Sequence, residues 1–314
     1  MHFSLVRFNP ADGPPSHGLD DAILPLFYAL KRLGYRTEIR LDSVNPRSRN
    51  IVFGSCLAPR KIGRMLPPGS IVFNLEQLGG DSKWMNRDYL AHLAEFPVWD
   101  YSAANMAVLK DIGARAAHVP PGYVPQMTRL RRDCPRDVDV LFYGLINDRR
   151  HAIIKELHEA GLKVLATQDA FGNLRDALLA RARLVLNVHY YLPAKLEMVR
   201  LGYVFANYRA VASERRPDTD IPPGLEDACA FYDYEDLVDG VKDLLADEKK
   251  RERQEDAAFA AFAARPLSRT LEGLVGKRGM SVPAAGGVAA PAGGGTEGAA
   301  LREWSITGNV GGEG

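Results

Sequence analysis

A glycine and two arginines around a predicted strand-to-helix junction indicate a phosphate-binding site. The run Val138 to Tyr143 is typical of a strand, Gly144 follows it, and the loop LIND leads into a helix beginning near Arg149. Glycine lets a chain pass close to phosphates, the first N–H groups of a helix are unpaired, and arginine can bind two phosphate oxygens at once. Gly144, Asn147 of the loop, Arg149 and Arg150 are therefore candidate ligands of an anion. Taken alone, adjacent arginines at a helix start are more often solvated surface charge.

The stretch Leu184 to Glu214 contains a second group of candidates. It reads as a buried strand, a helix and a short second strand, and in such β-α-β units ligands lie at the carboxyl ends of the strands. His189 and Tyr190 at the strand end, and Lys195 and Glu197 in the predicted first turn of the helix, should line a crevice. A carboxylate is favoured at a helix start and accepts hydrogen bonds from ligand hydroxyls.

These candidates have structural alternatives. Glu197 and Arg200 are spaced i, i+3 on the predicted helix, so they could form an ion pair that holds the carboxylate in place. His189 could be a satisfied strand-end histidine, and Tyr190 could pack instead of stacking on a base.

Two residues of the N-terminal part are candidates for catalysis. His17 lies in the loop between the first predicted strand and helix, and Glu76 follows the predicted strand Ile71 to Leu75. A histidine with an ordinary pKa near neutrality can take a proton from an acceptor hydroxyl. The sequence is equally consistent with His17 being an ordinary loop histidine, or with His17 and Glu76 only binding an acceptor.

Several classes of protein and site are disfavoured. The net charge of +1 gives no global field for nucleic acid, and the three widely spaced cysteines predict neither a disulfide framework nor a zinc cluster. The Asp218-Thr219-Asp220 spacing could hold a divalent cation, but it lies in the proline-rich loop ERRPDTDIPPG and favours a solvated loop. P-loop and dinucleotide fingerprints are missing. We therefore expect no metal, no cofactor and no nucleic-acid partner.

The pattern of elements predicts an α/β protein with two Rossmann-like domains. Short apolar runs alternate with helical patterns in residues 1–123 and again in residues 124–275, after a polar, basic connector. Residues 276–314 are rich in Ala, Gly and Pro and predict a disordered tail. No apolar run reaches the ~18 residues of a membrane span. The expected location is the cytoplasm, and contact of an amphipathic patch with a membrane stays open.

Three ordered blocks resemble the nucleotide-sugar-binding half of GT-B glycosyltransferases, of the bacterial "glycosyl transferases group 1" type. The blocks are DVLFYGLINDRR, FGNLRDALLARARLVLNVHYY and KLEMVRLGYVFANYRAVASE. The resemblance implies two Rossmann-like domains facing each other across a cleft, and metal-independent transfer of a sugar from a nucleotide-diphosphate donor. It also implies that Glu197 holds the donor ribose, with His189 and Tyr190 near the diphosphate and base.

The resulting functional hypothesis is a glycosyltransferase of cell-envelope polysaccharide biosynthesis. Its partners would be a nucleotide-diphosphate sugar donor and a carbohydrate, lipid-linked or protein acceptor. Two alternatives remain: a non-catalytic protein that binds nucleotide sugars, and a GT-B-like sugar-nucleotide epimerase. Whether the transfer retains or inverts the anomeric configuration is left open by the sequence.

Overall fold

Two parallel β-sheets form the two lobes of the protein. A computed structural model describes residues 1–10, 16–80, 82–190, 196–217 and 219–275. The first sheet has six strands and the second has five, and every pairing between neighbouring strands is parallel. The expected α/β architecture is confirmed. The predicted tail, Lys195 and Asp218 lie outside the described residues.

The first lobe is built on the sheet order β2-β1-β3-β4-β5-β6. Its strands are β1 (His2–Arg7), β2 (Arg36–Leu41), β3 (Arg49–Phe53), β4 (Ile71–Asn74), β5 (Val98–Asp100) and β6 (Ala116–His118). The central strands are buried on both faces, as expected of a sheet covered by helices on each side. Strand β5 was not predicted from the sequence.

Four helices cover this sheet: α1 (Asp20–Arg32), α2 (Pro59–Gly63), α3 (Arg87–Glu95) and α4 (Asn105–Asp111). In α1, Ile23, Leu26 and Leu30 are buried at the i, i+3, i+7 spacing of one helix face. The chain leaves α1 through Gly34, whose φ of +82° favours glycine.

The second lobe has the sheet order β11-β10-β9-β7-β8. Its strands are β7 (Val138–Tyr143), β8 (Val164–Thr167), β9 (Ala182–Asn187), β10 (Ala210–Glu214) and β11 (Ala230–Tyr232). Because β7, β9 and β10 are adjacent and parallel, their carboxyl ends meet at one edge of the sheet. The loops that contain the predicted site residues therefore converge.

The helices of the second half are α5 (Asp148–Glu159), α6 (Gly172–Arg181), α7 (Met198–Ala206), α8 (Leu237–Ala246), α9 (Glu248–Ala263) and α10 (Leu267–Val275). Glu197 is the N-cap residue of α7 and so precedes the helix, whereas the sequence predicted it in the first turn. No helix of the described residues is both long and apolar enough to cross a bilayer.

The last helix returns to the first lobe. The chain passes between the lobes at Tyr123 and again at Arg265 to Leu267, and the two passages are hydrogen bonded: Tyr123 N–H donates to Arg265 O at 2.8 Å. Helix α10 then packs on α1, and the Tyr35 hydroxyl donates to Val275 O at 3.2 Å. The core of the first lobe is thus completed by residues from the far end of the described chain.

Candidate functional site

Gly144 brings the β7–α5 loop against the guanidinium groups of the second lobe. Its φ is +137°, a backbone conformation that L side chains rarely adopt. A Cβ at this position would lie 3.1 Å from Arg200 Nη1 and 3.9 Å from Arg150 Nη1. Glycine is therefore favoured by the backbone conformation, and its lack of a side chain lets the Arg200 guanidinium approach the loop closely.

Arg150, Glu197 and Arg200 form a charged cluster beside Gly144. Arg150 is buried; its Nε donates to Val188 O and its Nη1 to Leu145 O, both at 2.8 Å, and its Nη2 pairs with Glu197. Arg200 Nη2 lies 2.8 Å from the other Glu197 oxygen, which confirms the predicted i, i+3 pair. Burial is the main cause that lowers the pKa of Arg150, and Glu197 opposes it.

Arg149 points to a different partner. Its two Nη atoms lie 2.5 Å from the oxygens of Glu214, which ends β10 and is fully buried. The guanidinium stacks 3.8 Å from the centre of the Tyr234 ring. Glu214 also accepts the backbone N–H of His189 at 3.0 Å. Sequence reasoning missed Glu214, although a carboxylate at the end of the short apolar strand AVAS was a usable signal.

Asn147, His189 and Tyr190 connect the loops of the site. Asn147 is the N-cap of α5, since its Oδ1 accepts the Arg150 N–H at 3.0 Å. Its Nδ2 donates to Tyr190 O at 3.2 Å. His189 is 2% exposed with Nε2 3.4 Å from the Thr219 hydroxyl, and the Tyr190 ring lies 5.1 Å from the Arg150 guanidinium. These contacts hold the β7 and β9 loops together.

The cluster has more positive than negative charge. Arg149, Arg150 and Arg200 face two carboxylates, Glu197 and Glu214. Arg200 Nε is buried without a hydrogen-bond partner in the part of the chain that the structure describes. An anionic ligand would complete this charge balance, because buried cations are stable only when paired.

His17 in the first lobe is held by a buried arginine and a carboxylate. Arg7 at the end of β1 donates to both oxygens of Asp20, at 2.6 and 2.7 Å. His17 Nδ1 lies 3.3 Å from Asp20 Oδ2 and 3.4 Å from Arg7 Nη1, and the imidazole ring is 6.1 Å from the ring of Phe171 in the second lobe. The histidine therefore lies where the two lobes meet, with one ring nitrogen beside the Arg7–Asp20 ion pair.

Glu76 lies beyond β4, on the same edge of the first sheet. Its backbone oxygen accepts from Asn74 at 3.0 Å and from Asn105 at 2.9 Å, which fixes the turn. The Cys56 thiol donates to the Glu76 carboxylate at 3.4 Å. Burial raises the pKa of Glu76, while the Cys56 hydrogen bond and the charge of Lys83 oppose that effect. Glu76 is thus a carboxyl group that protonates more easily than usual.

The two halves of the candidate site face each other around Tyr101, which follows β5. A cavity between the lobes is lined by Leu75 and Tyr101 from the first lobe and by Met198 from the second. Burial raises the pKa of Tyr101, and the negative charges of Asp100, Glu76 and Glu197 raise it further. Carboxylates of both lobes therefore lie near one phenol. No group of three or more His, Cys, Asp or Glu side chains in the described residues could hold a metal.

An ion pair joins the lobes beside this cavity. Asp21 of α1 pairs with Arg175 of α6, whose guanidinium also lies 3.1 Å from Asp176 and 3.5 Å from the centre of the Tyr203 ring. Arg175 is fully buried. The relative position of the lobes is therefore fixed by charge as well as by the apolar contact of α10 with α1.

No family model matches the sequence. The chain is 26% identical over 184 residues to the uncharacterized protein L140 of Acanthamoeba polyphaga mimivirus, covering 56% of this chain and 59% of that protein. The chain thus spans less than two thirds of this curated relative.

Solved structures show the fold. HepE from Anabaena, in complex with UDP and glucose, superposes with a TM-score of 0.58 at 11% identity, over 86% of this chain and 97% of that one. WaaG, a glycosyltransferase involved in lipopolysaccharide biosynthesis, gives a TM-score of 0.57 at 12% identity, over 88% and 100% of the two chains. The chain therefore has the GT-B fold that the sequence resemblance implied, with two Rossmann-like lobes and a cleft between them.

Proposed function

We propose that the protein is a glycosyltransferase that transfers a sugar from a nucleotide-diphosphate donor to a carbohydrate, lipid-linked or protein acceptor. The observation that supports this most is the cluster of Arg150, Arg200 and Glu197 beside Gly144, at the carboxyl ends of two adjacent strands. It combines two cations for a diphosphate with a carboxylate for ribose hydroxyls. The GT-B fold, and UDP in a solved structure of that fold, agree with this chemistry.

The donor would bind with its diphosphate over Gly144. Charge develops on the departing nucleoside diphosphate, and fixed cations stabilise such charge because they need no reorganisation. Arg150 and Arg200 are held by backbone oxygens of Val188, Leu145 and Tyr143, so they are preorganised for this role. Arg149 and His189 would support the site through Glu214. Glu197 is 31% exposed, and the remaining lone pairs of its two oxygens would accept the ribose hydroxyls.

His17 would take the proton of the acceptor hydroxyl if the configuration is inverted. In the tautomer whose Nδ1–H donates to Asp20, the opposite ring nitrogen would accept that proton, as in other carboxylate–histidine pairs. Glu76 would bind the acceptor on the same side of the cleft. In a retaining reaction both residues would only bind the acceptor. We further propose that the transferred sugar is a hexose and that the reaction takes place in the cytoplasm, during cell-envelope polysaccharide assembly. The two lobes would comprise residues 1–123 and 124–275.

Calorimetry with a panel of nucleotide-diphosphate sugars tests the donor site. We expect one donor to bind, and Glu197→Ala to weaken that binding at least about tenfold, since a charged hydrogen-bond acceptor contributes about 1.5–3 kcal/mol. Glu159→Ala, an exposed carboxylate on α5, is the matched control and should bind as the unmodified protein does. The proposal fails if no donor binds or if both variants behave alike.

Product analysis then separates transfer from the alternatives. A transferase releases nucleoside diphosphate and, without acceptor, hydrolyses donor slowly. An epimerase gives an isomer or free nucleotide without needing an acceptor, and a non-catalytic binder returns the donor intact. His17→Gln should lower turnover while donor affinity stays the same, because His17 lies on the acceptor side. A loss of donor affinity instead would contradict that assignment.

A further inference from the structure

A buried series of polar contacts crosses from the first turn of α1 to α7. Asp21 of α1 pairs with Arg175 of α6, whose side chain is only 1% exposed. Arg175 Nη2 also donates to Asp176 Oδ1 at 3.1 Å. The same Asp176 oxygen accepts the Tyr203 hydroxyl of α7 at 2.7 Å. One guanidinium and the carboxylate next to it therefore connect three helices across the boundary between the lobes.

Each end of this series adjoins a part of the candidate site. Asp21 directly follows Asp20, the carboxylate that lies 3.3 Å from His17 Nδ1. At the other end, Tyr203 lies three residues after Arg200 on α7, so the two side chains are neighbours along one helix face. The contacts thus connect the helix turn that holds the candidate base with the helix that contains a candidate phosphate ligand.

Arg175 is the residue on which the connection depends. Asp176 has a second cation, because Arg129 Nη1 donates to its Oδ2 at 2.6 Å. Asp21 has no other cation within 4 Å in the described part of the chain. Burial raises the pKa of Asp21, and the charge and hydrogen bond of Arg175 oppose that effect most. Without Arg175, the carboxylate of Asp21 would lose its only close cation.

The position of the Arg175 guanidinium is specific. It lies 3.5 Å from the centre of the Tyr203 ring, and its nitrogens contact Asp21 and Asp176 at the same time. A planar fork that stacks on an aromatic ring and binds two carboxylates is a geometry that lysine does not reproduce. The orientation of α6 relative to α1 and α7 is therefore set by this one side chain.

Helix α6 contacts the segment around His17 at a second place. Phe171 is the N-cap residue of α6, and its ring lies 6.1 Å from the His17 ring. A Cβ on Gly18 would be 3.6 Å from the same phenyl ring. Because α6 touches both this loop and the first turn of α1, a displacement of α6 would change the surroundings of His17.

From these contacts we infer that Arg175 is a positioning residue, which fixes the place of His17 relative to the donor cations beside Gly144. Arg175 is buried, so it acts through His17 and not on a ligand. In group transfer, a misplacement of about 1 Å can lower the rate about 100-fold. The catalytic consequence rests on the proposed function, whereas the placement of His17 is a property of the unliganded protein.

Turnover and donor affinity, measured separately, test the catalytic consequence. Turnover is followed as nucleoside diphosphate released from the donor that the calorimetric panel identifies. Asp21→Asn and Arg175→Gln should lower kcat about 10- to 100-fold, and donor affinity should stay within about twofold of the unmodified protein. Arg175→Lys should lose less than Arg175→Gln, because it keeps the charge but not the fork.

Glu255→Gln is the matched control. Glu255 is 1% exposed and accepts from Arg136 Nη2 at 3.1 Å, so this change also turns a paired carboxylate into an amide, but within the second lobe. Its kcat should equal that of the unmodified protein at a temperature where far-UV circular dichroism shows every variant folded. The inference is overturned if Asp21→Asn and Glu255→Gln lose the same activity, or if donor affinity falls in parallel with kcat.

Nuclear magnetic resonance of the histidine rings tests the placement without any reaction. Selective labelling gives signals from the seven histidines, and His17→Gln identifies the one from His17. That signal should shift in Arg175→Gln and Arg175→Lys, and the signal of the exposed His158 should not. An unchanged His17 signal in both variants, or in Arg175→Lys if Arg175→Gln does not fold, refutes the inference. A shifted signal in a protein that turns over no donor would instead refute the proposed function alone.

Discussion

Replacing Arg149 by Met should destabilise the protein through the carboxylate it leaves behind. Glu214 has no exposed surface, and Arg149 supplies the two closest of its hydrogen bonds. Removing one partner of a buried ion pair costs about 3–5 kcal/mol. Arg149 is 24% exposed and the His189 N–H still binds Glu214, so we expect a loss of about 2–3 kcal/mol. For a chain of this size that is a decrease of about 3–5 °C in Tm.

Urea unfolding followed by far-UV circular dichroism measures the effect. The double variant Arg149→Met/Glu214→Gln should regain about half of the lost free energy of unfolding or more, because no buried charge is left unpaired. The control Lys155→Met breaks an exposed ion pair of the same helix and should change the free energy of unfolding by less than about 0.5 kcal/mol. Equal losses in Arg149→Met and Lys155→Met, or a double variant as unstable as Arg149→Met, would refute the reasoning.

Two further predictions concern a buried histidine and the site glycine. Burial lowers the pKa of His92 to about 4, below the 6.5 of an exposed ring, so the unfolded chain binds more protons between these values. The free energy of unfolding should therefore fall by up to about 3 kcal/mol as the pH decreases from 6.5 to 4. This part of the pH dependence should disappear in His92→Leu and persist in the exposed control His158→Gln; identical profiles would contradict it. Gly144→Ala should lose about 1–2 kcal/mol of stability and also donor affinity, because its Cβ would press on Arg200. Gly161→Ala, with a φ of +81° and open space, should lose stability only, and calorimetry showing equal affinities would exclude a role for Gly144.

Most of the fold was predictable because a parallel strand that is buried on both faces appears in the sequence as a continuous apolar segment. Strands β1, β4, β7 and β9 are of this kind. Strand β5 was missed, since Val98–Asp100 is only three residues long and ends in a charged residue. The buried Asp100 accepts hydrogen bonds from Asn74 and Asn105, which offset the free-energy cost of burying its charge. A hydropathy pattern does not reveal such hydrogen bonds.

The candidate site was predictable only where its contacts are local. The pair of Glu197 with Arg200 follows from helical spacing and was predicted. The partners of Arg149 and Arg150 were not, because they lie 65 and 47 residues away in the chain. Adjacent positions on a helix point about 100° apart, and the two neighbouring arginines accordingly reach different carboxylates, Glu214 and Glu197. Asp20 was missed as a partner of His17 although it is only three residues away, because Arg7 of another element holds its carboxylate.

The last described helix, α10, has a consequence for how the chain folds during synthesis. Domains usually fold from the N-terminus as the chain emerges from the ribosome. Here α1 keeps an apolar face uncovered until residues 267–275 have been made, because that face packs on α10. The N-terminal half therefore cannot complete its core while the second half is translated. A nascent chain on a ribosome stalled before residue 267 would expose that apolar face of α1 to chaperones.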